Sequence, residues 1–196
     1  MEKEKETIYF ITGNNSKFNE IQKLFQKEDL CYELKRNIIK TTEIQACSIK
    51  EVAIFKLNSV RGKVNSSFFI EDAGFFVDKP LNGFPGVYSK YVLNTIGNKG
   101  ILNLIKDYSD TKAHFEAVIA LFFQPFNETL IFEGVVEGKV AKNIRGRGGF
   151  GFDPIFIPKE FPNRTFAELT TTEKNLVSHR GKAWNKMFEF LKKNQS

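Results

Sequence analysis

An α/β fold with a mixed β-sheet is predicted from the order of the apolar patterns along the chain. Near the N-terminus, a strand pattern is followed by a turn and an amphipathic helix, which is the alternation found in α/β proteins. Later, strand patterns at 113–123 and 128–140 are separated only by a turn at 125–128, which predicts an antiparallel hairpin. The chain has 196 residues, 41% of them hydrophobic, and so can bury one full core. We expect a single compact domain over residues 1–196.

The first predicted unit combines a buried strand with a helix. The run "TIYFIT" (7–12) has the β-branched and aromatic composition of a strand, and the turn "GNNS" follows it. A helix that begins near Asn15 or Ser16 is predicted by apolar residues that recur on one face: Phe18, Ile21, Leu24 and Phe25. The unit is therefore strand, loop, helix.

A second helix is predicted from about Ser48, where Ser48 and Glu51 match a capping box. Apolar residues follow at helical spacing: Ile49, Val52 and Phe55. The run "SSFFIED" then predicts a strand that ends in two acids, Glu71 and Asp72.

The second half of the chain adds two helices and a short strand. After a Gly/Pro-rich loop at 78–91, a helix is predicted over 98–108, and the hairpin comes next. The run "IFIP" (155–158) predicts a further strand. The last helix begins after Thr170, with a capping box to Glu173, and turns these apolar residues inward: Val177, Trp184, Met187, Phe188 and Leu191.

Composition excludes several classes of protein. The formal net charge of +6 fits a nucleic-acid partner and an anionic small ligand equally well. Cys31 and Cys47 have no Cys or His at metal-ligand spacing, so a disulfide scaffold and structural zinc are not expected. The N-terminal "MEKEKETIYFIT" has no apolar signal core, and no run reaches membrane-spanning length. We therefore expect a soluble cytoplasmic protein without a membrane partner.

A glycine-rich stretch, "IRGRGGFGFDPIF" (144–156), contains the pattern G-x-G-x-x-G. In a dinucleotide-binding fold, that pattern joins a strand to a helix. Here Pro154 disfavours the helical region for Asp153, and a strand pattern follows, so we reject that fold. On spacing alone, the stretch is a long hairpin connection.

Two sets of polar residues could bind a phosphorylated substrate. Lys17 lies in the first turn of its helix, where backbone amides favour an anion, and a solvated lysine is an equal alternative. Glu71 and Asp72, with Glu43 upstream, offer the oxygen ligands that suit Mg²⁺, which binds through one or two carboxylates and substrate phosphate oxygens. For these acids, the alternative is an ordinary surface turn.

The last helix opens with a polar face that carries Lys174, Ser178, His179 and Lys182. Viewed alone, this segment fits a solvated basic helix. Together with the first loop, the carboxylates and the glycine-rich loop, it predicts a site for a metal ion, phosphates and a base.

Four blocks of the sequence resemble the signature blocks of the inosine triphosphate pyrophosphatase family, in the same order: "TGNNSKFNEI", "IEDAGFFVDKPLNGFPGVYSKY", "GGFGFDPIF" and "TFAELTTTEKNLVSHRGKAW". They span nearly the whole chain, which makes the resemblance more specific than any single motif. It implies an elongated mixed β-sheet flanked by helices, with two lobes and a central cleft.

The resemblance also implies an activity. The expected reaction is Mg²⁺-dependent hydrolysis of ITP, dITP and XTP to the monophosphate and pyrophosphate, which cleanses the nucleotide pool. Mn²⁺ is the expected substitute ion. The expected assembly is a homodimer that acts on a small nucleotide and has no nucleic-acid partner.

Individual roles follow from the same resemblance. Asp72 is expected to activate the attacking water with help from Lys17, and Glu43 and Asp72 to bind the metal ion, with Glu71 beside them. A second set is expected to hold the triphosphate: Thr12, Gly13, Asn14, Lys17, Lys56 and Lys90. A third set is expected to border the base: Phe150, Phe152, Asp153, Lys174, Ser178, His179 and Arg180.

The expected base pocket has a physical rationale. Aromatic rings of the glycine-rich loop can stack on a purine. Donors at His179 and Arg180 suit the C6 carbonyl oxygen of hypoxanthine and xanthine, where adenine carries an amino group. The chain departs from the family at Ala73, where the family often has serine, so a hydroxyl contact is missing.

Two alternatives stay open from the sequence. One is a related Maf-like pyrophosphatase that prefers dTTP or modified pyrimidines, although "SHR" and "GFGFDP" argue against it. The other is an RNA-binding module whose aromatic side chains stack on exposed bases.

Overall fold

The chain folds around one seven-stranded mixed sheet, and the computed structural model describes residues 5–195. The first four residues of the N-terminal stretch considered for a signal peptide lie outside that range. The strands are β1 (Glu6–Ile11), β2 (Tyr32–Asn37), β3 (Phe68–Val77), β4 (Phe84–Gly86), β5 (Lys112–Phe123), β6 (Glu128–Val140) and β7 (Phe156–Pro158). The helices are α1 (Asn15–Phe25), α2 (Ile49–Asn58), α3 (Ser89–Thr95), α4 (Gly97–Ile105), α5 (Thr171–Val177) and α6 (His179–Lys193).

The sheet order is β2-β1-β3-β5-β6-β7, with β1 parallel to both of its neighbours and the remaining pairs antiparallel. One edge of β3 pairs with β5 along its whole length. The other edge pairs with β1 only at Phe68 and Phe69, and with β4 only at 75–77. Between these two partners, residues 70–74 face no strand among the described residues. We call this segment the open edge of β3.

Three groups of buried side chains surround the sheet. The first lies under α1 and α6 and includes Phe69, and the second lies on the opposite face under α2 and includes Ile70. The third lies at the far end of β3 and β5, under α3 and α4, and includes Phe75. Phe69 and Phe75 therefore belong to two lobes, and the open edge lies between them. The predicted fold class, a mixed sheet with helices on both sides, is confirmed.

Several elements predicted from local patterns are confirmed. α1 begins at Asn15, and the Asn14 side chain caps it by accepting a hydrogen bond from the backbone N–H of Lys17. The β5–β6 hairpin turns through a left-handed Asn127. Both hydrogen bonds of the Thr170–Glu173 capping box are present. Among residues 5–195, none of the helices is long and apolar enough to cross a bilayer.

The prediction that a strand ends at Glu71 and Asp72 was wrong. β3 continues to Val77, because β5 pairs with it beyond both acids. The two carboxylates lie in mid-strand and beside the open edge.

The buried face and the cap of α2 also differ from the prediction. Ile49 and Val52 are buried as predicted, but Phe55 is 41% exposed, and Ala53 and Leu57 complete the buried face. Ser48 caps the helix as predicted, but the Glu51 carboxylate accepts from the Cys47 N–H, so the box does not close on Ser48.

The last predicted helix is two helices, α5 and α6. Ser178 between them has an extended backbone, and its hydroxyl caps α6 by accepting from the Gly181 N–H. Glycine is required at Gly181, because an added Cβ would lie 1.9 Å from the Asn175 carbonyl oxygen.

The backbone of Asp153 also differs from the prediction. Asp153 begins a 3₁₀ turn (Asp153–Ile155) and not an extended segment.

We predict that Gly134→Ala destabilises the fold, because α6 packs directly on β6 at this glycine. A Cβ there would lie 2.1 Å from the His179 carbonyl oxygen and 2.6 Å from the Ala183 nitrogen. Overpacking against backbone should cost about 3 kcal/mol, which corresponds to a Tm lower by about 6–12 °C in thermal unfolding. Gly13→Ala is the control, since its Cβ meets no atom within 4 Å. Equal Tm values for the two variants would contradict the close approach.

Candidate functional site

Two adjacent carboxylates lie on opposite faces of β3 because side chains alternate along a strand. Glu71 points to the face covered by α1 and α6, where its carboxylate contacts Arg180 and Lys17. Asp72 points to the face covered by α2, where it contacts Lys56. The open edge therefore lies between two separate ion clusters.

The Glu71 cluster is buried. The Arg180 Nε donates to both Glu71 carboxylate oxygens at 2.9 and 3.1 Å, and the Lys17 Nζ lies 3.4 Å from Glu71 Oε1. Burial alone would raise the pKa of Glu71, but Arg180 and Lys17 outweigh burial and hold the pKa below its usual value. Glu71 is thus a buried anion that fixes two cations.

Glu20 completes this cluster and was not predicted from the sequence. Its carboxylate accepts from the Arg180 Nη1 at 2.9 Å, and its side chain is nearly buried. Burial would lower the pKa of Arg180, but Glu71 and Glu20 together raise it. The available signal was helical spacing, since Glu20 follows Lys17 by three residues on α1 and so shares its face.

The Asp72 cluster is organised by one ammonium group. The Lys56 Nζ lies 2.9 Å from Asp72 Oδ2 and 2.9 Å from Glu43 Oε1. The hydrogen bond and charge of Lys56 lower the pKa of Glu43. Burial would lower the pKa of Lys56, but Asp72 and Glu43 raise it. Asp72 also accepts from the Ala73 N–H at 3.0 Å, which fixes the orientation of its carboxylate.

The β1–α1 loop and the first turn of α1 carry residues predicted to bind the triphosphate, and they lie beside the open edge of β3. The Thr12 hydroxyl accepts from the Asn14 N–H at 3.1 Å, and Gly13 between them is exposed. Lys17 reaches from α1 to the open edge, where its Nζ donates to the Glu71 carbonyl at 3.3 Å. A helix N-terminus and an ammonium group therefore face the unpaired edge of β3.

Lys90 lies near the Asp72 cluster on the exposed start of α3. Its charge and that of Lys17 both lower the pKa of Glu43, which places the two cations within electrostatic range of this carboxylate. The structure thus brings Lys17, Lys56 and Lys90 together, as predicted for triphosphate binding, although the roles themselves stay predictions.

The glycine-rich loop presents Phe150 beside the start of α6. Its ring is 38% exposed, and the Lys174 Nζ and the Arg180 Cζ each lie 5.0 Å from the ring centroid. Asp153 fixes the loop by accepting from the Phe150 N–H and from Lys174 Nζ, both at 2.7 Å. The buried ion pair of Asp153 and Lys174 therefore holds the loop that carries the exposed Phe150 ring.

Phe152 occupies a different environment from the one expected. It is 3% exposed and its ring stacks on Phe75 at 4.9 Å, inside the third core group. Of the two loop aromatics expected to border a base, Phe150 is the one with an accessible ring, and Phe152 anchors the loop to the core.

His179 is a buried neutral imidazole. Its ring stacks on Phe115 with centroids 4.7 Å apart, and its Nδ1 has no hydrogen-bond partner among residues 5–195. Burial, reinforced by the charges of Arg180 and Lys174, lowers the pKa of His179 well below its usual value. Its neighbour Ser178 serves as the cap of α6.

The carboxylates fit a small hard cation. No group of three or more His, Cys, Asp or Glu side chains in the described part of the chain could enclose a metal by itself. Glu43 and Asp72 nevertheless converge on one cation, the Lys56 ammonium. Mg²⁺ commonly uses one or two carboxylates, with water and substrate phosphates as its other ligands. This donor pair therefore suits Mg²⁺ carried with a phosphorylated substrate.

Comparison with known proteins places this arrangement in a family. The sequence model of the Ham1 family matches residues 8–190. The chain belongs to the Ham1 family. The assignment made from the four sequence blocks is thereby confirmed, over nearly all of the chain.

Relatives of this Ham1-family protein match it over nearly their full length. A dITP/XTP pyrophosphatase of Thermococcus kodakarensis is 48% identical over 187 residues, which cover 95% of this chain and 98% of that protein. A dITP/XTP pyrophosphatase of Pyrococcus horikoshii is 43% identical over 187 residues, which cover 95% and 97%. The solved structure of a HAM1 protein from Coxiella burnetii superposes with a TM-score of 0.83 at 32% identity, covering 96% of this chain and 99% of that one.

We predict that Glu71→Gln destabilises the protein by about 3 kcal/mol at pH 7, because the buried Arg180 and the partly buried Lys17 lose their shared anion. Urea unfolding at equilibrium measures this change. Asp110→Asn is the control, since it breaks an exposed pair with Lys79 and should cost less than about 1 kcal/mol. Similar losses in the two variants would show that Glu71 does not hold the cluster.

We also predict that His179→Phe reduces the loss of stability in acid. The folded pKa of His179 is lowered, so as pH falls below about 6.5 the unfolded chain binds a proton that the folded chain does not. Stability should therefore fall with pH, by up to about 1.4 kcal/mol per pH unit. Phenylalanine keeps a ring for stacking on Phe115 but cannot titrate. Its free energy of unfolding relative to wild type should therefore rise as the pH is lowered from 8 to 5. A constant difference would contradict this account.

Proposed function

We propose that this protein hydrolyses deaminated purine nucleoside triphosphates, such as dITP, ITP and XTP, to the monophosphate and pyrophosphate with Mg²⁺. Such a reaction would cleanse the nucleotide pool. The names of the Ham1-family relatives support the substrate class, since both archaeal proteins are dITP/XTP pyrophosphatases. The observation that carries the proposal is the convergence of three lysines and two carboxylates on the open edge of β3.

The triphosphate would bind across the open edge, between the N-terminus of α1 and the start of α3. Lys17 approaches from one face of β3 and Lys56 from the other, while Lys90 stands at the rim. The loop Thr12–Asn14 leads into the N-terminus of α1, a place that attracts anions. These groups would neutralise the charge that develops on the departing pyrophosphate.

The attacking water would be activated by Asp72. Its carboxylate would accept a proton from the water, whose oxygen attacks the α-phosphorus as the bond to the bridging oxygen breaks. When bound, Mg²⁺ would supply positive charge to the phosphate oxygens and hold them in place through Glu43 and Asp72. Lys56, which bridges the two carboxylates in this structure, would transfer its hydrogen bonds to the phosphates.

Base selection would occur where Phe150 meets the start of α6. The Phe150 ring would stack on the purine. An arginine has five N–H donors; Glu71 accepts from the Nε donor of Arg180, and Glu20 accepts from one of the two Nη1 donors. We propose the Nη2 donors of Arg180, with the unpartnered His179 Nδ1 in the tautomer that is protonated at this atom, as the groups that meet the C6 oxygen. Adenine would leave these donors unpaired, a mismatch that can discriminate by about 10⁴–10⁵.

Four features expected from the sequence stay predictions: the homodimer, the cytoplasmic location, the absence of a nucleic-acid partner and the use of Mn²⁺ as a substitute.

We predict that Asp72→Asn reduces pyrophosphate release from ITP at least about 100-fold, because the amide cannot accept the water's proton. Nucleotide binding should persist within a few-fold, because the lysines remain. Asp110→Asn should hydrolyse ITP at the wild-type rate. Turnover close to wild type in Asp72→Asn would remove Asp72 from this role.

The substrate panel tests the function as a whole. Pyrophosphate release should be measured from ITP, XTP, dITP, ATP, GTP and dTTP at matched concentration, with and without Mg²⁺. We expect Mg²⁺-dependent release largely confined to ITP, XTP and dITP. Release from dTTP alone, or from none of the six, would overturn the proposal.

A further inference from the structure

A second concave surface lies away from the candidate site, between α4 and the end of β6. This groove has a volume of about 950 Å³. Its lining includes the buried apolar residues Ile105, Val140 and Ile157, which form its floor. It is large enough for a nucleotide-sized molecule, since small-molecule sites span about 300–1,000 Å³.

The rim of the groove is strongly basic. It carries Lys106, Lys139, Lys142 and Arg145, and one acid, Asp107. Arg145 is paired with Glu168, but the other three basic side chains make no ion pair within residues 5–195. Unpaired like charges on one rim repel each other, and an anion between them would relieve that repulsion.

The groove is separate from the cleft that holds Asp72. The groove extends to Thr111, the residue before β5 begins at Lys112. Asp72 pairs with Val118, in the middle of β5. At about 3.3 Å per residue, this separation is roughly 20 Å. None of the residues that line the groove belongs to the candidate catalytic or binding set.

The wall of the groove is preformed. The chain from Ala141 to Arg145 runs along it and is held by two backbone hydrogen bonds. The Ala141 N–H donates to the Ile155 carbonyl at 2.7 Å, and the Arg145 N–H donates to the Pro154 carbonyl at 2.9 Å. A fixed wall lowers the entropic cost of binding a ligand.

The combined chemistry identifies a ligand class. A basic rim suits a phosphate group, an apolar floor suits a flat ring, and the exposed Tyr108 on the lining can stack on that ring. We propose that this groove binds a nucleoside phosphate at a second site that does not take part in the hydrolysis.

The test is a titration of ¹⁵N-labelled full-length protein with AMP, followed by NMR. AMP is chosen because its 6-amino group should disfavour the cleft. We expect saturable shifts of the backbone amides at 102–111 and 139–145, smaller shifts with inorganic phosphate, and none with adenosine. Equal affinity for phosphate and AMP would overturn the nucleoside part of the proposal. Absence of saturable shifts at these amides would overturn all of it.

Two double variants locate the site. Lys139→Glu with Lys142→Glu should weaken AMP binding at least about tenfold, because two attractive charges become repulsive. Lys23→Glu with Lys27→Glu makes the same change of net charge on the exposed surface of α1 and its C-terminal turn, and should change AMP binding less than about twofold. Equal weakening by the two double variants would overturn the site.

A third probe separates the nucleotide from a nucleic acid. A single-stranded uridine decamer that binds at least 100-fold more tightly than AMP in 150 mM salt, and displaces it, would assign the groove to RNA and overturn the proposal. Both double variants should hydrolyse ITP at the wild-type rate. Failure of the groove proposal therefore leaves the proposed function untouched, and the reverse also holds.

Discussion

The buried contact between Glu71 and Arg180 is the interaction on which the rest of the site depends. It joins the middle of β3 to the first turn of α6, two segments 109 residues apart in sequence. The same carboxylate holds Lys17, which ties α1 to the strand. A single buried charge thus fixes the three elements that surround the candidate site. The cations need no ligand to remain in place, so the site is organised before substrate binds.

The open edge of β3 follows from the way two partners share one edge. The pairing of β3 with β1 stops after Phe69, and its pairing with β4 begins at Phe75. Unpaired strand edges can form hydrogen bonds with strands of other molecules. Here the edge is flanked by charged side chains and by a helix N-terminus, which favour a phosphate over another backbone. This unpaired segment is where we propose that an anionic ligand binds.

The parts of the fold that depend on nearby residues were predictable from the sequence. Asn14 and Thr170 mark helix starts because their side chains cap the following turn. The buried position of Glu71 in the middle of β3 was not predictable from nearby residues, because a strand can bury this carboxylate only with cations from α1 and α6. Phe150 and Phe152 have the same side chain in the same loop, and only the distant ring of Phe75 decides which one is buried. Glu20 escaped prediction for the same reason, since its partner lies on α6.

The two glycines that pack against the start of α6 limit where the chain can gain or lose residues. Gly181 lies against the Asn175 carbonyl, and Gly134 lies against the backbone at His179 and Ala183, so the start of α6 has no room to rotate or slide. An inserted residue between Thr170 and Gly181 would shift the chain by one position against these two contacts, and within α6 one position is a rotation of about 100° that would turn Arg180 away from Glu71. The hairpin tip at Phe126 and Asn127 is exposed and carries no such constraint. Insertions and deletions should therefore accumulate at that tip and be absent from the segment that precedes α6.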